Sequence, residues 1–413
     1  MFSQLRPPTV RGAATATPAA LRQGLVIIKV YYLCYFAAIG TITPFLNVYL
    51  EHHGWRGAQI GWVSSIPPLV AFVANPFWSA IADRWQLHRT ILSALTLLAG
   101  LTSLLFLTSV QFWPVLLLIA AMTFFRNPVS PLVDSAAVHL VKESGSTYGR
   151  QRLWGSLGFA LVSFTLGRLL PVDNLALAFW SHAMLLGVGC TILGWLLPVR
   201  GGAQRVDWWA GVRVLTGQRS YRGFIVTVVL FGFAMSSYLT FLSLHMLNLG
   251  GNATHLGLMW LAMGAIEVPI MYFGARSIER YGYQRILQLS LMGFAVGWTA
   301  MAFVPSPLTL ILNVLWIGAC FSCYWVSVVN YAEQSAPPGL SATTQAIIGA
   351  AQSGLGWSLG AIAAGYLWDT AGETTLFLVA AGAVALAAIS FWWSNRLVQT
   401  VRTVASAPAI PHG

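Results

Sequence analysis

Long apolar runs, parted by short polar connectors, recur twelve times along the chain, at approximately 25–50, 58–82, 90–110, 113–139, 151–170, 175–198, 222–248, 256–276, 285–304, 308–332, 342–367 and 374–396. Each is close to the ~20 residues an α-helix needs to cross a bilayer. The runs lack the ten-residue alternation of an outer-membrane barrel. Hydrocarbon offers a backbone no partner but itself, so the pattern predicts a helix in every run.

The polar connectors carry a repeat. Ser79–Arg89, S-A-I-A-D-R-W-Q-L-H-R, returns 196 residues later as Ala275–Arg285, A-R-S-I-E-R-Y-G-Y-Q-R. Asp83 and Arg84 correspond to Glu279 and Arg280, Trp85 to Tyr281, and Arg89 to Arg285. The same offset pairs Phe45-Leu46 with Phe241-Leu242, Gly54 with Gly250 and Gly61 with Gly257. An offset near half the chain length implies a duplication. The expected fold class is an all-α membrane protein with twelve transmembrane helices in two six-helix pseudo-symmetric halves. The expected boundaries are a disordered tail 1–23, a first half 24–198, a central loop 199–221 with Arg200, Arg205, Arg213 and Arg219, a second half 222–397 and a tail 398–413.

Composition agrees with this reading. Only 8% of residues are charged, against about 25% in a soluble chain, and mean hydropathy is +0.70. The net charge of +11 does not point to nucleic acid, because Lys and Arg are scattered through short loops. A cytoplasmic N-terminus puts about 18 of the 22 on one side of the membrane, leaving Arg56 and Arg168 outside, Lys29 to snorkel and Arg126 in mid-membrane. Both termini are therefore expected in the cytoplasm, with the chain in a plasma membrane, the inner membrane of a bacterium. Cys34, Cys190, Cys320 and Cys323 all fall inside apolar runs, which argues for packing and against a disulfide framework. The Ala-, Thr- and Pro-rich start lacks the apolar core and cleavage site of a signal peptide.

Twelve spans, parallel halves and a basic central loop resemble the major facilitator superfamily of transporters, and the resemblance covers essentially the whole chain. That family's loop motif, G-x-x-x-D-R-x-G-R-R, is similar to the first charged segment at Asp83, Arg84 and Arg89, with Ser79 and Gln86 in place of the two glycines. The second copy keeps Gly282 at the turn. Tyr31–Leu50 followed by His53–Trp62 looks like the phenylpropionate permease branch, which neighbours oligosaccharide–proton and nucleoside–proton symporters. Pro338–Gln345 is similar to the start of helix 11 in that branch. Tyr148–Phe159 resembles the lactose permease segment with a sugar-binding Arg and a stacking Trp, here Arg152 and Phe159, and the acid 18 residues earlier is Asp134. That permease's proton-coupling pair on helix 10 has no counterpart, since Val328 and Tyr331 stand there. Glu267, beside Pro269, falls about a turn from its helix-8 acid. A disaccharide substrate and that proton site are therefore not implied.

An acid at Asp83 sits where a helix dipole disfavours negative charge, so it needs a cation or another helix N-terminus. Made only when the cytoplasmic face is closed, such a contact is a latch, and Asp83, Arg84, Arg89, Glu279, Arg280 and Arg285 are its candidate gating residues. Mid-membrane charges are expensive and are paired or line a polar path. Arg126, Ser130 and Asp134 step by four along one face of helix 4, where Pro128 and Pro131 interrupt the hydrogen-bond ladder. Asp134 with Arg152 is the expected pair at the substrate cavity. Arg126 offers a bidentate fork for a carboxylate, with neutralisation of a nearby acid as the alternative. Glu267 is the leading proton carrier, because a carboxyl in a low-dielectric cavity can load and release a proton near neutral pH; Asp134 is the second candidate. Phe159 and Trp325 are the aromatic candidates beside a ligand. Glycines of helix 5 (Gly155, Gly158) and helix 11 (Gly349, Gly354, Gly356, Gly360, Gly365) permit close approach and are candidate sliding surfaces. His245 reads as interfacial.

These residues predict a secondary active transporter for a small organic solute, an aromatic carboxylate by preference, working by alternating access with proton symport. Its partners are the solute, protons and the lipid bilayer, with no cofactor or metal, and a monomer is expected. Nucleoside or sugar symport, drug efflux and a non-transporting receptor on the same fold remain open alternatives. Without a P-loop, metal-ligand cluster or nucleophile–base arrangement, an enzyme is not expected.

Overall fold

A computed structural model describes residues 18–170, 174–197, 219–335 and 341–405. Among them every apolar run is helical and no strand occurs. The first half contains α1 (Pro18–Ile42, continued as Leu46–His52), α2 (Gly57–Trp85), α3 (His88–Leu104, ending in a 3₁₀ turn Leu105–Leu107), α4 (Phe112–Arg126 and Val129–Ser144), α5 (Tyr148–Leu169) and α6 (Ala176–His182, a π-helical stretch Ala183–Cys190, and Thr191–Leu196). The second contains α7 (Arg219–Asn248), α8 (Ala253–Tyr281), α9 (Tyr283–Met301), α10 (Pro307–Ser335) and α11 (Ser341–Gly349, a π-helical stretch Ala350–Gly356, and the start of Trp357–Ala405). Gly372, with φ of +79°, breaks Trp357–Ala405 and begins α12. That conformation lies in the left-handed region that favours glycine.

Two boundaries differ from expectation: α1 begins at Pro18, inside the stretch expected to be a tail, and α12 continues to Ala405. Residues 1–17, most of the central loop with Arg200, Arg205 and Arg213, the stretch Pro338–Leu340 and the side chain of Glu279 lie outside the described residues.

Prolines set the interruptions. Pro44 parts α1 after Ile42, and Pro128 parts α4 after Arg126, each removing a donor from the ladder. In α2 the helix runs unbroken through Pro67, Pro68 and Pro76.

Small residues hold each half together. A Cβ on Gly158 would lie 2.2 Å from the Leu33 carbonyl oxygen of α1, and one on Gly360 2.2 Å from that of Phe233 in α7. These glycines, with Gly155 and Gly356, join α5 to α1 and α11 to α7 within a half, so they are not the sliding surfaces between halves. Gly349 and Gly354 face open space. The halves meet along two other lines, α2 against α11 and α5 against α8. The core of the second half is aromatic, with Phe231 stacked 3.7 Å from Tyr324 and packed on Phe294.

Contacts between the halves concentrate at the face carrying the α1–α2 connection, here the upper face. Gly61 packs on Ala361 and Gly365, and Gly167 on Ala253 and Gly257. The Asn47 amide donates to the Thr240 carbonyl at 2.8 Å, and the Ser358 hydroxyl to that of Ser65 at 3.2 Å. The upper face is closed.

Candidate functional site

Below that closure the rare charges gather on α4, α5 and α8. Asp134 lies just past the Pro128 break. Its Oδ1 accepts from the Tyr32 hydroxyl of α1 at 2.5 Å and from the Tyr148 hydroxyl of α5 at 2.9 Å, and its Oδ2 from Ser130 at 3.3 Å. Arg152 is not its ion-pair partner. The acid–base contacts found among the described residues are His88–Asp83 and His245–Glu373. The Arg152 guanidinium instead lies 3.7 Å from the centre of the Phe36 ring and 5.8 Å from that of Tyr32. Three hydroxyl donors already satisfy the carboxylate, and a guanidinium stacks well on an aromatic face. Gly155 makes the room: a Cβ there would meet both the Phe36 ring and an Arg152 nitrogen.

Arg126 ends the upper piece of α4. Its Nε is buried without a partner, and its guanidinium forms no ion pair among the described residues. Its carbonyl, freed by the break, accepts from the Tyr35 hydroxyl at 3.3 Å. Uncompensated guanidinium charge in a membrane interior is costly unless an anion or water reaches it. Ser130, the residue between Arg126 and Asp134 on this face, is engaged by the acid.

The second half contributes Glu267 on α8, partly buried and forming no ion pair among the described residues. The cation whose field reaches it is Arg152 across the interface, and the buried, unpartnered Tyr238 hydroxyl lies in its own field. Seven residues before it on the same helical face, Trp260 meets Phe159 edge-on at 5.7 Å between ring centres. The aromatic pair that bridges the halves is therefore Phe159–Trp260. Trp325 does not join it; its ring is stacked on Phe321 at 6.0 Å and is 44% exposed. Tyr32, Tyr35, Phe36 and Trp260 were not singled out from sequence. Their signal was spacing: Tyr32 and Phe36 are one turn apart, as Arg152 and Phe159 are about two, and Trp260 shares a face with Glu267.

Among the described residues, the candidate latch residues make their contacts within their own halves. Asp83 accepts from His88 Nε2 at 2.9 Å, at the start of α3 in its own half. Arg84 and Arg89 are exposed, Arg280 lies 5.2 Å over Tyr281, and Arg285 is exposed. His245, in the last turn of α7, is buried and bonds Glu373 of α12 at 2.9 Å.

Two six-helix halves closed over one face, with aromatic rings and charges that form no ion pair among the described residues between them, define a secondary transporter. The model described as the MFS_1 like family matches residues 25–379, and the chain belongs to that family of the major facilitator superfamily. It is 31% identical to the maltose permease of Geobacillus stearothermophilus over 87% of this chain and 91% of that one. It is 26% identical to the probable 3-phenylpropionic acid transporter of Escherichia coli K12, over 84% and 92% of the two chains. The crystal structure of the nucleoside transporter NupG superposes with a TM-score of 0.80 at 17% identity, covering 90% of this chain and 98% of that one. These relatives are transporters, not enzymes.

Proposed function

We propose that the chain carries a small organic carboxylate, an aromatic one by preference, across the bacterial inner membrane by alternating access coupled to protons. The observation that carries this reading is Arg126, a guanidinium within an apolar span that forms no ion pair among the described residues. The basic loops support an orientation with the upper face outside and both termini in the cytoplasm. Phe159 and Trp260 supply the aromatic surface, and the likeness to a probable 3-phenylpropionic acid transporter agrees with that chemistry. Asp134 and Arg152 border the same path. Glu267 is the proton carrier, because the charged group whose field reaches it among the described residues is Arg152 of the opposite half, and rocking of the halves separates the two. Asp83, Arg84 and Arg89, with Glu279, Arg280 and Arg285, close the cytoplasmic face in the opposite state. The single chain, without cofactor, is the transport unit.

Sugar symport is the second reading, favoured by the 31% identity to a maltose permease. Equilibrium binding to purified protein separates the two. Phenylpropionate binding that weakens about 10- to 100-fold in Arg126→Gln, as expected for loss of a charge-assisted hydrogen-bond pair, supports the carboxylate site. Binding of maltose alone, unchanged in Arg126→Gln, overturns it.

A further inference from the structure

The start of α2 lacks the local cap that helices use. Its first N–H groups need an acceptor, and the residue at the capping position, Arg56, has none to offer. Gln59 reaches back only to the Arg56 N–H, at 2.9 Å. The equivalent helix in the second half is built differently: 196 residues on, α8 is capped by Asn252, whose Oδ1 accepts from the His255 N–H at 3.0 Å.

Helix α2 takes its cap from the other half. Asp369, near the C-terminal end of α11, accepts from the Gly57 N–H through Oδ1 at 2.7 Å and from the Ala58 N–H through Oδ2 at 2.9 Å. A carboxylate is favoured at a helix N-terminus and disfavoured at the end of its own helix, so Asp369 is stabilised mainly by the partner half. The glycines around it make this approach possible. A Cβ on Gly57 would lie 2.8 Å from Asp369 Oδ1, and one on Gly365 2.4 Å from the Gly57 carbonyl oxygen. Helices α2 and α11 run antiparallel, with Gly57 beside Gly365, Gly61 beside Ala361 and Ser65 beside Ser358. Here Asp369 is engaged by α2, and Asp83 bonds His88 of its own half.

Building on the alternating-access reading, we propose that Asp369 is the outer latch: a cap supplied across the interface that exists only while the outer face is closed. Opening that face leaves Asp369 at the end of α11 without its helix partner and leaves α2 uncapped. The latch therefore sets the balance between outward-open and outward-closed states and need not touch solute.

Distance measurements between spin labels test this, with Cys34, Cys190, Cys320 and Cys323 replaced by alanine. One label pair, His52→Cys with Thr374→Cys, spans the outer face; another, Glu143→Cys with Gln334→Cys, spans the inner face. Asp369→Ala is expected to raise the ratio of outer-open to outer-closed distances about tenfold, equivalent to about 1.4 kcal/mol. It should lower the inner-open population to match. Adding Arg56→Ser gives α2 a local cap and should leave that shift in place. An unshifted distribution in Asp369→Ala, or its full reversal by Arg56→Ser, overturns the latch and reduces Asp369 to a structural cap. If wild type itself shows one distance at each face under every proton gradient, alternating access fails, and the latch with it.

Discussion

Asp134 is held by side chains of three helices: Tyr32 on α1, Ser130 on its own α4 and Tyr148 on α5. Replacing Tyr32 with phenylalanine removes one donor to a charged acceptor, a loss of about 1–3 kcal/mol at that carboxylate. If Asp134 borders the solute path, Tyr32→Phe and Tyr148→Phe should each raise the KM for transport several-fold while the protein stays folded by circular dichroism. Unchanged kinetics in both would make the cluster a structural joint. At this scale the sequence exposed the charges and hid their partners. Asp134, Arg152, Arg126 and Glu267 stand out because charge is rare in an apolar run. Tyrosine is common there, and nothing local says which hydroxyl will turn toward an acid 102 residues away. The Asp134–Arg152 pairing failed for that reason, since the hydroxyls filled the acceptor sites and Phe36 took the guanidinium.

Helices divide into those that hold a half together and those that meet across halves, and their glycines divide with them. Gly158 packs α5 on α1, whereas Gly61 packs α2 on Ala361 and Gly365 of α11. Valine at Gly158 overfills a permanent contact, costing about 1–3 kcal/mol, and should lower the yield and melting temperature of the detergent-purified protein. Valine at Gly61 wedges only the closed state. It should leave the melting temperature nearly unchanged and raise labelling of an outer cysteine at Ser358→Cys. Equal thermal destabilisation by both would deny the division. The break in α4 ends a helix at Arg126 and frees a carbonyl that Tyr35 takes up. The α4 break was legible from proline, but α2 shows the limit of that signal, since three prolines leave it continuous. Which glycine faces which helix is a tertiary fact that small-residue spacing alone does not carry.

The whole molecule was the most legible level. Twelve apolar runs, a 196-residue repeat and basic loops specify two equivalent six-helix halves, because a bilayer admits few other solutions. The state of those halves was not legible. Whether the outer or inner face is closed depends on small differences among contacts such as Gly57–Asp369 and Asp83–His88, each worth a fraction of the total. In that picture substrate and protons act by shifting a balance the fold already contains. The sharpest test is uptake into proteoliposomes under an imposed inward proton gradient, offering labelled phenylpropionate, a nucleoside and a disaccharide to wild type, Arg126→Gln and Glu267→Gln. The account predicts gradient-driven accumulation of the acid alone, its loss in Arg126→Gln, and counterflow without accumulation in Glu267→Gln. Accumulation that ignores the gradient, or that persists in both variants, would contradict it.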